Sequence, residues 1–88
     1  MNKERRKRIQ KIIDKTQEME SIVDELKSMI EEVKDEEEEY KDNMPENLQG
    51  SEKYETAEAA VENLEGAYDA LDNIDMSEIT SYLEEAMN

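Results

Sequence analysis

At 88 residues the chain is long enough for one domain with a thin core, a size at which a disulfide, a metal or a partner subunit commonly supplies part of the stability. It has no cysteine and no histidine, which excludes disulfides and thiolate chemistry and removes the commonest transition-metal ligand and neutral-pH proton shuttle. Twenty-six acids against 11 bases leave a formal charge of −15, which disfavours nucleic acid and anionic membranes as direct partners and favours basic protein surfaces.

The charge is unevenly spread. Residues 1–15 hold seven bases (Lys3, Arg5, Arg6, Lys7, Arg8, Lys11, Lys15) against Glu4 and Asp14, a net of +5, and the other 73 residues carry −20. The first eight residues have the basic character of a signal-peptide start. The apolar stretch that should follow is only Ile12-Ile13, set among Gln10, Lys11 and Asp14, so no export signal is read there. No apolar run approaches the ~18–20 residues that span a bilayer.

From residue 9 the apolar positions run Ile9, Ile12, Thr16, Met19, Val23, Leu26, Ile30, Val33 and, after a skip at Glu37, Tyr40. Alternating steps of three and four mark a helix that packs along another helix. Ile22 and Met29 widen the stripe beyond a two-helix seam. No Gly or Pro interrupts residues 2–44, and the spacing predicts a helix over about 3–41, roughly 58 Å long at ~1.5 Å per residue.

Residues 42–51 contain the single proline and one of two glycines and form the expected connection. Pro45 disfavours helical geometry at Met44, Gly50 is free to take a positive φ, and Ser51 is a good N-cap with Glu52 and Glu55 well placed against the next helix dipole. Leu48 is expected to tuck against the end of the hairpin. Asn43, Glu46, Asn47 and Gln49 are either a contact surface or the hydrogen-bonding groups that hold the turn.

A second helix is predicted over about 52–73, with Tyr54, Ala57, Val61, Leu64, Tyr68 and Leu71 on its seam and Ala60, Ala67 and Ile74 beside it. Gly66 falls off the seam and costs about 1 kcal/mol without ending the helix. After Leu71 the phase changes to Met76, Ile79, Leu83 and Ala86. Asp72-Asn73-Ile74-Asp75 are poor helix formers and Ser77 is a candidate cap, so a kink or break near 72–77 is expected before a last helix over about 77–87, with a continuous helix as the alternative.

Together these elements predict an all-α fold, a long antiparallel helical hairpin with coiled-coil-like packing and a kinked or broken C-terminal helix, making one domain over 1–88. Folding at the loop pairs residues whose numbers sum to about 93, which sets Arg8 near Glu84 and Glu85. Bases at a helix N-terminus oppose its dipole, and the acidic stretch from Asp69 to Glu85 would compensate them. The widened stripes predict a second interface and hence a homodimer.

Several features bear on function. The basic cluster Lys3–Arg8 suits a polyanion but lacks an aromatic residue for base stacking, and the acidic remainder of the chain would repel a polyanion, so electrostatic matching to the acidic C-terminus is the favoured account. Asp35-Glu36-Glu37-Glu38-Glu39 sit on a helix and point in several directions, unlike the converging oxygens of a metal loop, so no metal site is assigned. Carboxylate pairs without a sheltered cleft, and the absence of a glycine-rich phosphate loop, give no catalytic site and no cofactor. Tyr40, Tyr54, Tyr68 and Tyr82 recur every 14 residues, two heptads, and are expected in or near the core.

The loop stretch Tyr40-Lys41-Asp42-Asn43-Met44-Pro45-Glu46-Asn47-Leu48-Gln49-Gly50-Ser51-Glu52-Lys53-Tyr54 resembles a segment of small acidic helical proteins from Firmicute phages and related mobile elements, in which an Asn-x-Pro-Glu-Asn-Leu-Gln-x-Ser-Glu run joins a basic-starting helix to an Ala/Glu/Leu-rich one. The resemblance covers the whole layout, with about fifteen distinctive residues; Asp72 to Ser77 depart from it. It implies a phage or prophage setting, a cytoplasmic location in a bacterial host, and a raised expectation of anti-defence activity.

The function expected is therefore inhibition of a nucleic-acid-handling protein, such as a host defence nuclease of the CRISPR effector type, by DNA-like negative charge. The acids expected to meet a basic, nucleic-acid-binding surface are Asp35, Glu36, Glu37, Glu38, Glu39, Glu46, Glu52 and Glu55. The alternative is a helical structural or assembly protein that acts through self-association.

Overall fold

The computed structural model describes residues 1–88 and is an all-α helical hairpin. Helix α1 runs Lys3–Asp42, a single 3-10 turn occupies Glu46–Leu48, α2 runs Glu52–Asp72 and α3 runs Met76–Met87. These bounds lie within a residue of those the periodicity predicts. Contacts divide the chain into two compact units, residues 1–25 with 74–88 and residues 26–73.

In the first unit the N-terminal part of α1 lies antiparallel to α3. Asn2 starts α1, its side-chain oxygen accepting from the Arg5 amide at 2.8 Å. Ile13, Val23 and Met76 are the buried apolar residues, and the buried Thr16 hydroxyl donates to the Ile12 carbonyl at 2.9 Å, which leaves its polar group satisfied. The last helix begins one residue before the predicted start and is capped differently. Asp75, not Ser77, is its N-cap, with a carboxylate oxygen accepting from the Glu78 amide at 2.9 Å. Asp is as good a cap as Ser, and the helix starts at Met76 because that side chain is drawn into the core, to 6% exposure.

In the second unit the C-terminal part of α1 lies antiparallel to α2 across the 43–51 connection. Leu48, Gln49 and Ser51 amides donate to the Pro45, Glu46 and Leu48 carbonyls, winding the loop tightly without a positive φ, so Gly50 uses none of its extra freedom. Ser51 caps α2 as predicted, accepting from the Tyr54 amide at 3.3 Å. Ala57 and Val61 are buried, and Tyr54, Leu64, Tyr68 and Leu71 are half-buried along the same side of α2.

The predicted seam of α1 is rotated in the structure. Its inward side consists of Ile13, Thr16 and Val23 in the first unit, and of the half-buried Lys27, Ile30, Lys34, Glu37 and Lys41 in the second. Ile12, Met19, Leu26, Val33 and Tyr40, all expected inside, are 41–52% exposed. The apolar residues of α1 cover more of its circumference than one partner helix can bury, and one flank stays outside. On the polar flank that turns inward in the second unit, two of the three lysines meet tyrosine rings of α2. Lys27 Nζ lies 5.1 Å from the Tyr68 ring centroid, and Lys41 Nζ lies 6.0 Å from that of Tyr54.

Two further expectations are corrected. Leu48 is exposed, at 45%, rather than tucked in. Tyr82, at 72% exposure, and Tyr40 are surface residues, since a 14-residue interval preserves helical phase only while the helix is continuous and its facing unchanged.

Candidate binding surface

The eight acids singled out from the sequence all lie in the second unit. Five occupy the last turns of α1, where a step of 100° per residue spreads them around the helix. Asp35, Glu36 and Glu39 are exposed, whereas Glu37 faces α2 and is half-buried, as is Glu38. Glu46 stands exposed on the 3-10 turn, and Glu52 and Glu55 are exposed in the first turn of α2, where the helix N-terminus favours negative charge.

The hairpin brings Glu37 and Glu52 to the same groove, an open cleft of about 420 Å³ that Tyr40, Lys53, Thr56 and Ala57 also line. A second cleft of about 550 Å³ opens at the loop, between Tyr40, Met44, Pro45 and Leu48. The side chains of Asn43, Glu46, Asn47 and Gln49 make no hydrogen bond within the chain; backbone groups and the Ser51 hydroxyl, which donates to the Leu48 carbonyl, hold the turn. Their polar groups face solvent and are open to a partner.

The chain forms two ion pairs, Lys15–Glu18 at 3.2 Å and Lys27–Asp72 at 2.6 Å, and neither involves the eight acids. No group of three or more acids is arranged so that it could hold a metal ion. No helix is long and apolar enough to cross a membrane.

The basic N-terminal turns do meet the C-terminal helix, though not through carboxylates. Arg6 Nε donates to the Met87 backbone carbonyl at 3.1 Å. The last turn of α3 has no basic residue of its own, so a guanidinium from α1 serves the carbonyl end of that helix. This contact, and the half-buried Lys27 with Asp72 and Tyr68, were not singled out as site features. Each carried a signal: Arg6 and Met87 satisfy the sum of 93, and Lys27 is a lysine within an apolar stretch close to the hairpin distance from Tyr68.

Comparison with protein-family models, with curated proteins and with solved structures returns no match.

Proposed function

We propose that the chain is a non-catalytic binding protein that occupies the basic, nucleic-acid-binding surface of another protein. The observation that carries this reading is the exposure of Asp35, Glu36, Glu39, Glu46, Glu52 and Glu55 on one unit, all of them outside the chain's ion pairs. Carboxylates fixed on helices compete for a cationic cleft because such a cleft selects for the sign and spacing of charge. The phage-type loop supports a bacterial cytoplasmic setting and a host defence nuclease as the partner.

The test is capture of host proteins on the immobilised chain, with duplex DNA as competitor and with salt varied. The reading expects a retained nucleic-acid-binding protein that DNA displaces, an affinity that falls steeply with salt, and loss of binding when Asp35, Glu36 and Glu39 are replaced by lysine. Retention that ignores salt, DNA and the charge reversal overturns it.

A second reading, self-association, is favoured by a different observation. On α1 the exposed flank carries larger apolar side chains than the flank that faces α2, where Lys27, Lys34 and Lys41 lie. Exposed apolar patches of this kind mark interaction surfaces.

A further inference from the structure

Each unit carries its own exposed apolar stripe on α1. In the first it is Ile12, Met19 and Ile22; in the second it is Leu26, Met29, Val33 and Tyr40. Both stripes belong to one heptad numbering, in which Ile12, Met19, Leu26, Val33 and Tyr40 recur every seven residues and Ile22 and Met29 fill the alternate position. That alternate position is polar at its two outer occurrences, Lys15 and Glu36, which carry opposite charge and are both exposed.

We infer that these stripes are the contact surface for a second copy of this chain, and that the two α1 helices meet antiparallel with Leu26 near the two-fold axis. This rests on the self-association reading and adds the partner's orientation. An antiparallel pairing about Leu26 seats the first-unit stripe of each copy on the second-unit stripe of the other, with Ile12 alongside Tyr40 and Met19 alongside Val33. Lys15 of each copy then lies beside Glu36 of the other, at both ends of the contact. Within one chain Lys15 pairs with Glu18, and because Lys15 is 81% exposed it is free to reorient. Beyond the stripe, the basic first turns of one copy run beside Asp42 and Glu46 of the other.

The parallel alternative stacks Lys15 on Lys15 and Glu36 on Glu36 within an apolar seam, and sets the +5 ends together. Like charges facing each other in a helical seam oppose association, and polar residues in a seam commonly decide its orientation. Antiparallel pairing converts both of these repulsive layers into attractive ones.

Sedimentation equilibrium on the full chain should give a mass of two chains. Lys15→Glu or Glu36→Lys alone should weaken the dimer roughly tenfold, since each change creates two like-charge contacts, and the double swap should restore it. A spin label on Gln10→Cys, at an exposed position of this cysteine-free chain, should lie about 50 Å from its copy, against ~20 Å in a parallel pair. A chain that stays single at high concentration overturns both self-association and this inference. A dimer with the short label distance, or one the double swap does not restore, overturns the antiparallel orientation and leaves self-association standing.

Discussion

Arg6 and Met87 lie 81 positions apart in sequence, and the guanidinium of the first donates to the backbone carbonyl of the second at 3.1 Å. Their numbers sum to 93, the value that folding the chain at its loop requires. The contact gives the basic start of α1 a purpose beyond general charge balance. Five bases in the first two turns of α1 are unfavourable against that helix's own dipole, and the carbonyl end of α3 is a nearby source of negative potential.

Arg6→Ala should therefore loosen the last turn of α3. The bond is exposed, so the cost is about 0.5–1 kcal/mol. Amide hydrogen exchange at residues 84–88 should rise while protection around Ile13 and Val23 changes little. Arg6→Lys should recover part of the effect, because the charge remains and only the guanidinium geometry is lost.

Asp75 and Ser77 provide a paired test of where α3 starts. Asp75→Ala removes the acceptor for the Glu78 amide and should cost about 1 kcal/mol, visible as a lower melting temperature and a small loss of helical circular dichroism. Ser77→Ala should leave both unchanged within error, since Ser77 lies inside the first turn and an Ala there is favourable for helix. The opposite ranking would restore Ser77 as the cap.

Gly66 sits in the middle of α2, and a Cβ added there meets no atom within 4 Å. Gly66→Ala should therefore stabilise the chain by about 1 kcal/mol, by reducing unfolded-state freedom without creating a clash. Urea denaturation should show a higher midpoint with an unchanged slope.

The periodicity was sufficient to place the helices, because a step of three and four, a proline, a serine cap and a run of poor helix formers are all local signals. It could not decide which flank of α1 faces inward. Ile12 and Ile13 are adjacent and equally apolar; the heptad positions that follow Ile12 are Met19, Leu26, Val33 and Tyr40, whereas those that follow Ile13 are Glu20, Lys27, Lys34 and Lys41, yet Ile13 is 3% exposed and Ile12 is 50% exposed. In the second unit the inward flank meets tertiary partners, the Tyr54 and Tyr68 rings that receive Lys41 and Lys27, and these lie far along the chain. The candidate surface was legible to the same extent. The acidic run was evident, and so was the seam position of Glu37, which turns toward α2 while Asp35, Glu36 and Glu39 are presented.

The two isoleucines make that rotation measurable. Ile13→Ala should cost about 2–4 kcal/mol, the usual range for truncating a buried aliphatic side chain. Ile12→Ala should cost less than about 0.5 kcal/mol in dilute solution, where a half-exposed side chain has little to lose. If Ile12 also lines a contact between copies, its cost should grow with protein concentration, whereas that of Ile13 should not.

Lys27 tests whether the polar flank of α1 holds the second unit together or merely tolerates its position. Its ammonium is 2.6 Å from the Asp72 carboxylate and 5.1 Å from the Tyr68 centroid, and its side chain is 20% exposed. Asp72 is 60% exposed, so water screens the ion pair, which contributes about 0.5–1 kcal/mol; the ring contact adds a similar amount. Lys27→Ala removes both together with the packing of the four-carbon stem, and should cost about 1.5–2 kcal/mol. Lys27→Met keeps most of the stem and should cost roughly half as much. Salt separates the contributions, because at 1 M the Debye length falls to about 3 Å and the screened pair weakens while the stem's packing does not. The wild-type advantage over Lys27→Met should therefore shrink in 1 M NaCl, and its advantage over Lys27→Ala should shrink by the same amount and no further. A Lys27→Met variant as stable as wild type at low salt would mean that the stem alone, and not the charge, draws this flank toward α2.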